Sequence, residues 1–441
     1  MKCTMTKEGA GAGAIVNIAT WKDVPGDKEY RGPFFREATS SLGESRYVTL
    51  EKDLGGFNNI RLTLESAVAF AAATGRTFVI PPPYPIWNMN TFHKHKEVSL
   101  NSVFSFDKLA ASGCIQVITT EEFFEREVFT GKLGIAPSEG AKRLSVKHVS
   151  AYLTQAAGQY EKGLPDVPPE KGAIIMPRRM GERVDLEAPE YTFAKEWLFQ
   201  RELMEYREGW QTAKVIHWRS KGARLLTPFY GFVLHADEVA QRYYSRLIRD
   251  NMHYPEEVYC KASQVVSLIK AENSSGSFSS MHIRRNDFVG FYRPTALDAE
   301  TILANSEDHL IDGETLYIAT DERNRSFFEA FHERFKVRFL SDYYEKAGVS
   351  EMGPNYVGMI EQVIASNART FTGCWFSTFT AYILRLRGYY GYPRTSNFYY
   401  FLPKKTNPHT SLLPKKPLWS TEWAFGWEGI DDTGIPDSMA P

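Results

Sequence analysis

Small and apolar side chains alternate from Ser277 to Ile283, and the chain then turns polar through Arg284, Arg285, Asn286 and Asp287. The pattern predicts a strand entered from a Gly-Ser-rich loop at 273–276 and ending in charge at its carboxyl end. Earlier, a short β-branched strand at 46–50 precedes the turn 53–59. Apolar residues then recur at Ile60, Leu64, Val68 and Ala71, which predicts a helix over 58–74 with Asn58 as its cap and Gly75 at its end. A buried strand over 77–80, stopped by Pro81-Pro82-Pro83, completes a βαβ unit.

The second half repeats the theme. Helices are predicted over 236–248 and 256–269, then the strand 277–283, a strand 316–321 and a helix marked by Phe327, Phe328, Phe331 and Phe335. A strand at 337–340, a helix at 356–368, a strand at 369–372 and a helix at 379–386 follow. Ser377 and Thr378 stand where the last helix starts, suited both to cap it and to bind a phosphate. Residues 100–224, with Pro-rich and charged connections, read as loops and acceptor-side elements. The expected class is α/β. The expected division is a flexible tail over 1–40, one Rossmann-like domain over 41–235, a second over 236–400 and a strap over 401–441.

Composition narrows the function. The 441 residues are 43% hydrophobic, 24% charged and 14% aromatic, which describes a folded globular chain of about two domains. A net charge of −1 argues against nucleic acid as partner. No apolar run reaches the roughly 20 residues of a membrane helix, and residues 1–20 lack the charged start and apolar core of a signal peptide. Cys3, Cys114, Cys260 and Cys374 have no CxxC spacing, so neither zinc nor a dense disulfide framework is indicated. His93 and His95 lack a third ligand and read as surface histidines, and the glycines at 9, 11 and 13 have no strand before them and read as tail.

Two candidate sites remain. Arg284 and Arg285 emerge with His282 at a strand's carboxyl edge, where open α/β sheets bind ligands, and guanidinium forks suit phosphate or carboxylate oxygens. The structural alternative is an ion pair in which Asp287 neutralises Arg285. At the start of the first long helix, Gly55-Gly56 lets backbone approach a ligand, and the amides of Asn58 and Asn59 can hydrogen-bond sugar or phosphate; the alternative is a tight turn.

Three stretches occur in order: Gly55-Gly56-Phe57-Asn58-Asn59, His282-Ile283-Arg284-Arg285-Asn286-Asp287-Phe288 and Gly373-Cys374-Trp375-Phe376-Ser377-Thr378-Phe379. Together they resemble the GDP-fucose protein O-fucosyltransferase family over roughly residues 45–395, nearest its thrombospondin-repeat type and the O-fucosyltransferase-like group. The resemblance implies a GT-B fold, two Rossmann-like domains facing each other across a donor-binding cleft. It implies an inverting enzyme that moves L-fucose from GDP-fucose to Ser or Thr of a protein acceptor, such as a small folded repeat domain. Neither cofactor nor metal is required by this scheme. Arg284 would contact the β-phosphate and stabilise the charge developing on GDP. His282 would help hold guanine, and Glu361, where relatives carry aspartate, would accept from its N1–H and amino group. Arg285 and Asp287 belong to the same donor-binding set, and Ser377, Thr378 and the Phe379 amide would bind phosphate. Gly56, Phe57, Asn58 and Asn59 would approach from the other domain. The family also implies the lumen of the endoplasmic reticulum or Golgi. One departure stands out: Gly55 occupies the position of a glutamate suited to deprotonate the acceptor. Asp53, an early departure of GDP or poor transfer would each account for it. A glycan acceptor and a catalytically impaired GDP-sugar-binding protein are the alternatives.

Overall fold

A computed structural model describes residues 24–32, 45–51, 55–86, 89, 97–157, 174–175, 213–218, 238–400 and 430–431. Asp53, His93, His95, the glycines at 9–13 and nearly all of the proposed strap lie outside these residues. The chain divides into two compact units, Asp23–His253 and Tyr254–Asp432. The division at Tyr254 falls after the helix that periodicity placed at 236–248.

The first unit is built on strands β1 (Tyr47–Leu50), β2 (Thr77–Ile80), β3 (Val117–Thr119), β4 (Ile174–Ile175) and β5 (Val215–Trp218). They form one sheet in the order β3-β2-β1-β5-β4, and every pairing is parallel. All four residues of β1, β2 and β5 are buried, as expected of a parallel sheet covered on both faces. Helix α1 (Phe57–Ala73) packs on β1, β2 and helix α2 (Glu238–Asn251), so nearly its whole circumference is buried. Its start differs from the expectation. Gly56 is the N-cap and no side chain caps the helix; Asn58 lies in the first turn, its Oδ1 accepting from Arg61 Nε at 3.5 Å. The end agrees, since Thr74 closes the helix and Gly75 takes φ +63°. Arg61 pairs with Glu65 at 2.7 Å, both buried.

The second unit opens with helix α3 (Glu256–Ala271) and continues through β6 (Ser279–Ile283), α4 (Asn286–Phe291), β7 (Thr315–Thr320), β8 (Lys336–Arg338), α5 (Val357–Ser366), β9 (Thr370–Gly373), α6 (Thr378–Tyr389) and β10 (Asn397–Tyr399). These five strands form a second parallel sheet, in the order β10-β9-β6-β7-β8. The helix expected around Phe331 is a 3-10 turn over Arg325–Phe328 followed by the single turn Glu329–His332. Its aromatic side chains do the expected work, for Phe328, Phe331 and Phe335 are buried in the core with Met281, Ile283, Leu316 and Ile318. Arg387 of α6 is fully buried, with no carboxylate partner among the described residues. It donates instead to the carbonyls of Ala368 and Arg369, to Asn397 Oδ1 and to Ser396 Oγ, tying α5, β9 and β10 together.

Candidate active site

In the second sheet the strand order runs outward in both directions from β6 and β9. The crevice beyond the carboxyl ends at such a reversal is the usual ligand position in open α/β sheets. Because β6 ends at Ile283 and β9 at Gly373, the arginine motif and the Gly373 motif leave the sheet side by side.

The two arginines separate in role. Arg284 Nη2 donates to Asp287 Oδ1 at 2.7 Å, while its Nη1 lies 2.8 Å from Asp321 Oδ2 just beyond β7. Its side chain keeps 23% of its surface exposed. Arg285 is held by Glu322 at 3.1 Å, by the Leu297 carbonyl at 2.8 Å and by the Phe327 ring 4.1 Å from its guanidinium carbon. Asp287 therefore pairs with Arg284 rather than with Arg285, and Arg285 is engaged in fixing the loop. Asp321 organises the same corner, accepting the Arg285 backbone N–H at 2.7 Å, while its own carbonyl accepts from Asn286 Nδ2 at 2.6 Å. Burial raises the Asp321 carboxyl above its ordinary range, opposed by the Arg284 charge.

His282 is buried, with its ring 4.4 Å from that of Phe379. Its Nδ1 lies 2.7 Å from Thr380 Oγ1, which also accepts the Cys374 N–H at 3.0 Å. The Thr380 hydroxyl has one proton to give, and in the tautomer where it donates to Nδ1 the proton of the neutral ring sits on Nε2. Burial and then the Arg284 charge push the imidazole down to about 3, so it is neutral at pH 7. Gly373 makes this contact possible: a Cβ there would collide with Thr380 Cγ2 and lie 3.0 Å from Oγ1.

Helix α6 follows β9, the strand paired with β6 from whose end Arg284 leaves. Ser377 is its N-cap residue and is buried, yet its hydroxyl makes no capping hydrogen bond, and it sits next to the first-turn amides of Thr378 and Phe379. An uncapped start of this kind suits an anion. Phe376, just before it, takes φ +70°. On α5, Glu361 makes no hydrogen bond or ion pair among the described residues; burial raises its carboxyl to about 8, with Arg325 opposing and Asp321 adding.

In the first unit the expected Gly56–Asn59 stretch forms the first turn of α1. The Gly56 carbonyl accepts from the Asn59 and Ile60 amides at 2.9 and 3.2 Å, and Phe57 stacks on Phe104 at 5.7 Å. A Cβ on Gly55 would collide with the Asn59 amide and lie 2.8 Å from Asn59 Cβ. Asn59 thus occupies the space into which a longer side chain at 55 would reach. The reversal in this sheet lies between β1 and β5, where Thr49 Oγ1 meets His217 Nδ1 at 2.8 Å and Ser150 donates to Glu51 at 2.6 Å. Sequence reasoning missed this group because β5 lies in the stretch that showed no periodicity. It also left Glu322, Tyr292 and Phe376 unassigned. A polar Thr-Asp pair closing the strand beside β6 was the signal available for Asp321, which could be read as a partner for an arginine.

Two parallel α/β units, one with an arginine and a helix start following adjacent strands at its switch point, agree with the two Rossmann-like domains expected. A family model described as GDP-fucose protein O-fucosyltransferase matches residues 47–390, and the chain belongs to that family. It is accordingly a GDP-fucose fucosyltransferase by class. A comparison with curated proteins gives no match. Among solved structures, POFUT1 in complex with GDP-fucose aligns at 13% identity over 82% of this chain and 99% of its own, with a TM-score of 0.41. The Bradyrhizobium fucosyltransferase NodZ aligns at 16% over 78% of this chain and 93% of its own, with a TM-score of 0.36. A mutant of Arabidopsis thaliana FUT1 in complex with GDP aligns at 11% over 80% and 71%, with a TM-score of 0.39.

Proposed function

We propose that this protein is an inverting fucosyltransferase that moves L-fucose from GDP-fucose to a Ser or Thr hydroxyl of a protein acceptor. The observation that carries the reading is that Arg284 and the uncapped start of α6 follow the carboxyl ends of the adjacent strands β6 and β9 at the sheet's reversal. Membership in a family described by protein O-fucosylation supports the acceptor class. Arg284 takes the β-phosphate and stabilises the charge that grows as the fucose–oxygen bond breaks, while Asp321 keeps the guanidinium aimed. Ser377, Thr378 and the Phe379 amide hold the remaining phosphate oxygens. Glu361 and the Nε2–H of neutral His282 address the base. A single displacement by the acceptor hydroxyl from the face opposite GDP inverts the sugar carbon. The scheme requires no metal, because arginine and helix amides supply the positive charge.

A second reading, a donor-binding protein that transfers slowly, is favoured by the filled space at Gly55. Thermal melting with GDP, UDP and ADP in EDTA tests the donor site. A ligand at 100 times its dissociation constant adds about 2.7 kcal/mol to the folded state. Stabilisation by GDP alone is the expected result, and no shift with any nucleotide overturns the reading. Transfer from GDP-fucose to small folded protein domains, with free glycans as the competing acceptors, then separates the protein acceptor from the glycan one, and binding without transfer supports the slow form.

A further inference from the structure

Phe376 is one of two non-glycine residues with positive φ among the described residues, and the only aromatic one. A bulky side chain in the left-handed region is strained, and such strain persists only where the surroundings over-determine it. Here the restraint is visible. The Phe376 ring stacks on Tyr292 at 4.7 Å and 18°, Tyr292 packs on Phe288 at 4.6 Å, and the Arg284 guanidinium carbon lies 5.9 Å from the Phe288 ring. Trp375 meets Phe376 edge-on from the core side, at 6.2 Å and 79°. An aromatic column therefore runs from the arginine loop after β6 to the residue just before the start of α6, bridging the two loops that leave the sheet at its reversal.

We propose that Tyr292 and Phe376 are positioning residues for the diphosphate: their stacked rings lock the left-handed turn that aims Ser377 and the first amides of α6 at the same anion as Arg284. The inference rests on the donor reading above and adds to it two residues outside the three motif roles. The Phe376 ring carries no hydrogen-bond donor, and Tyr292 enters the column through the face of its ring, so the part assigned to each is to act through its neighbours. Loosening the column lets the two halves of the anion site drift apart while leaving the base end, Glu361 and His282, in place.

The test compares GDP with GMP, which share the base and differ in the β-phosphate. Affinities are measured by calorimetry for the wild type, Tyr292→Ala and Phe376→Val, with the melting temperature of each variant as a check on folding. Valine is chosen because a β-branched residue resists positive φ. A misplacement on the ångström scale costs about a hundredfold. The preference for GDP over GMP is expected to fall by about tenfold or more in each variant, with GMP affinity unchanged. Equal losses for both nucleotides, or a preserved preference, overturn the proposal. If Phe376→Val fails to fold, Tyr292→Ala, on a half-buried side chain, decides alone. A wild type that binds neither nucleotide removes the donor reading itself, whereas a wild type that prefers GDP beside variants that do so equally removes only the clamp.

Discussion

Arg284 lies between Asp287 and Asp321 with part of its surface open, so replacing it by alanine leaves two carboxylates facing each other as well as a lost cation. Loss of one preorganised charge of this kind costs about a hundred- to a thousandfold in turnover. Arg284→Ala should lose that much in GDP release from GDP-fucose and shrink the melting shift given by GDP. The neighbouring titrations have definite signs. His282 is pushed from its ordinary value near 6.5 down to about 3. A depressed histidine gives stability that is present above the unfolded value and lost as pH falls toward the folded one, because the unfolded chain takes up a proton the folded chain refuses. Between pH 6.5 and 4 the wild type should therefore lose melting temperature more steeply than His282→Gln; the same comparison at His309, lowered to about 4, gives the second share of the slope. Glu361 runs the other way. Its carboxyl, raised to about 8, contributes stability that is complete below the unfolded value near 4.5 and disappears as pH rises through 8. Guanine's paired donors favour the ionised form, so GDP binding at pH 7 should release a proton, seen as a buffer-dependent calorimetric enthalpy that Glu361→Gln abolishes.

Among the elements, the legible ones had long or sharply bounded patterns. Helix α1, strands β2, β6, β7 and β9 and the start of α6 lay within a residue or two of their predicted places, and the motifs that leave them meet at one sheet edge. β3, β4 and β5 were not legible, being two to four residues long and set among loops where no period can build up. At the site, sequence identified Arg284 but not how Arg285 differs from it, because the difference lies in which acidic residue of the β7 loop folds over each. The left-handed Phe376 had no sequence signal, since tertiary stacking overrides the preference of the residue. The β9–α6 turn also supplies a test. Gly373→Ala places a methyl against Thr380, an overpacking that costs about 1–3 kcal/mol. Urea unfolding should show that loss, with the His282–Thr380 contact displaced. In α1, Arg61→Ala strands Glu65 without this partner in a buried site, and breaking such a pair costs about 3–5 kcal/mol.

For the molecule as a whole, the same winding is used twice, and each unit has its own reversal: β1/β5 in the first, β6/β9 in the second. The two are not chemically alike. The first holds a histidine, a threonine and a glutamate bonded to a serine, and the second an arginine and a helix start. Hydrogen exchange with and without GDP should show protection gained mainly in the second unit, at 282–287 and 374–380; gains confined to the first unit would reverse the assignment of the donor side. The second unit is also, terminal segments aside, one continuous stretch of chain. During synthesis every strand of the first sheet has been made before His282 exists, and β10, the edge strand beside β9, is added last. At about 5–20 residues per second, the span from residue 253 to 399 takes roughly seven to thirty seconds. The proposed donor site is therefore complete only once residue 380 has been made, by which time every strand of the first sheet already exists, so a nucleotide bound there could assist folding only late in translation.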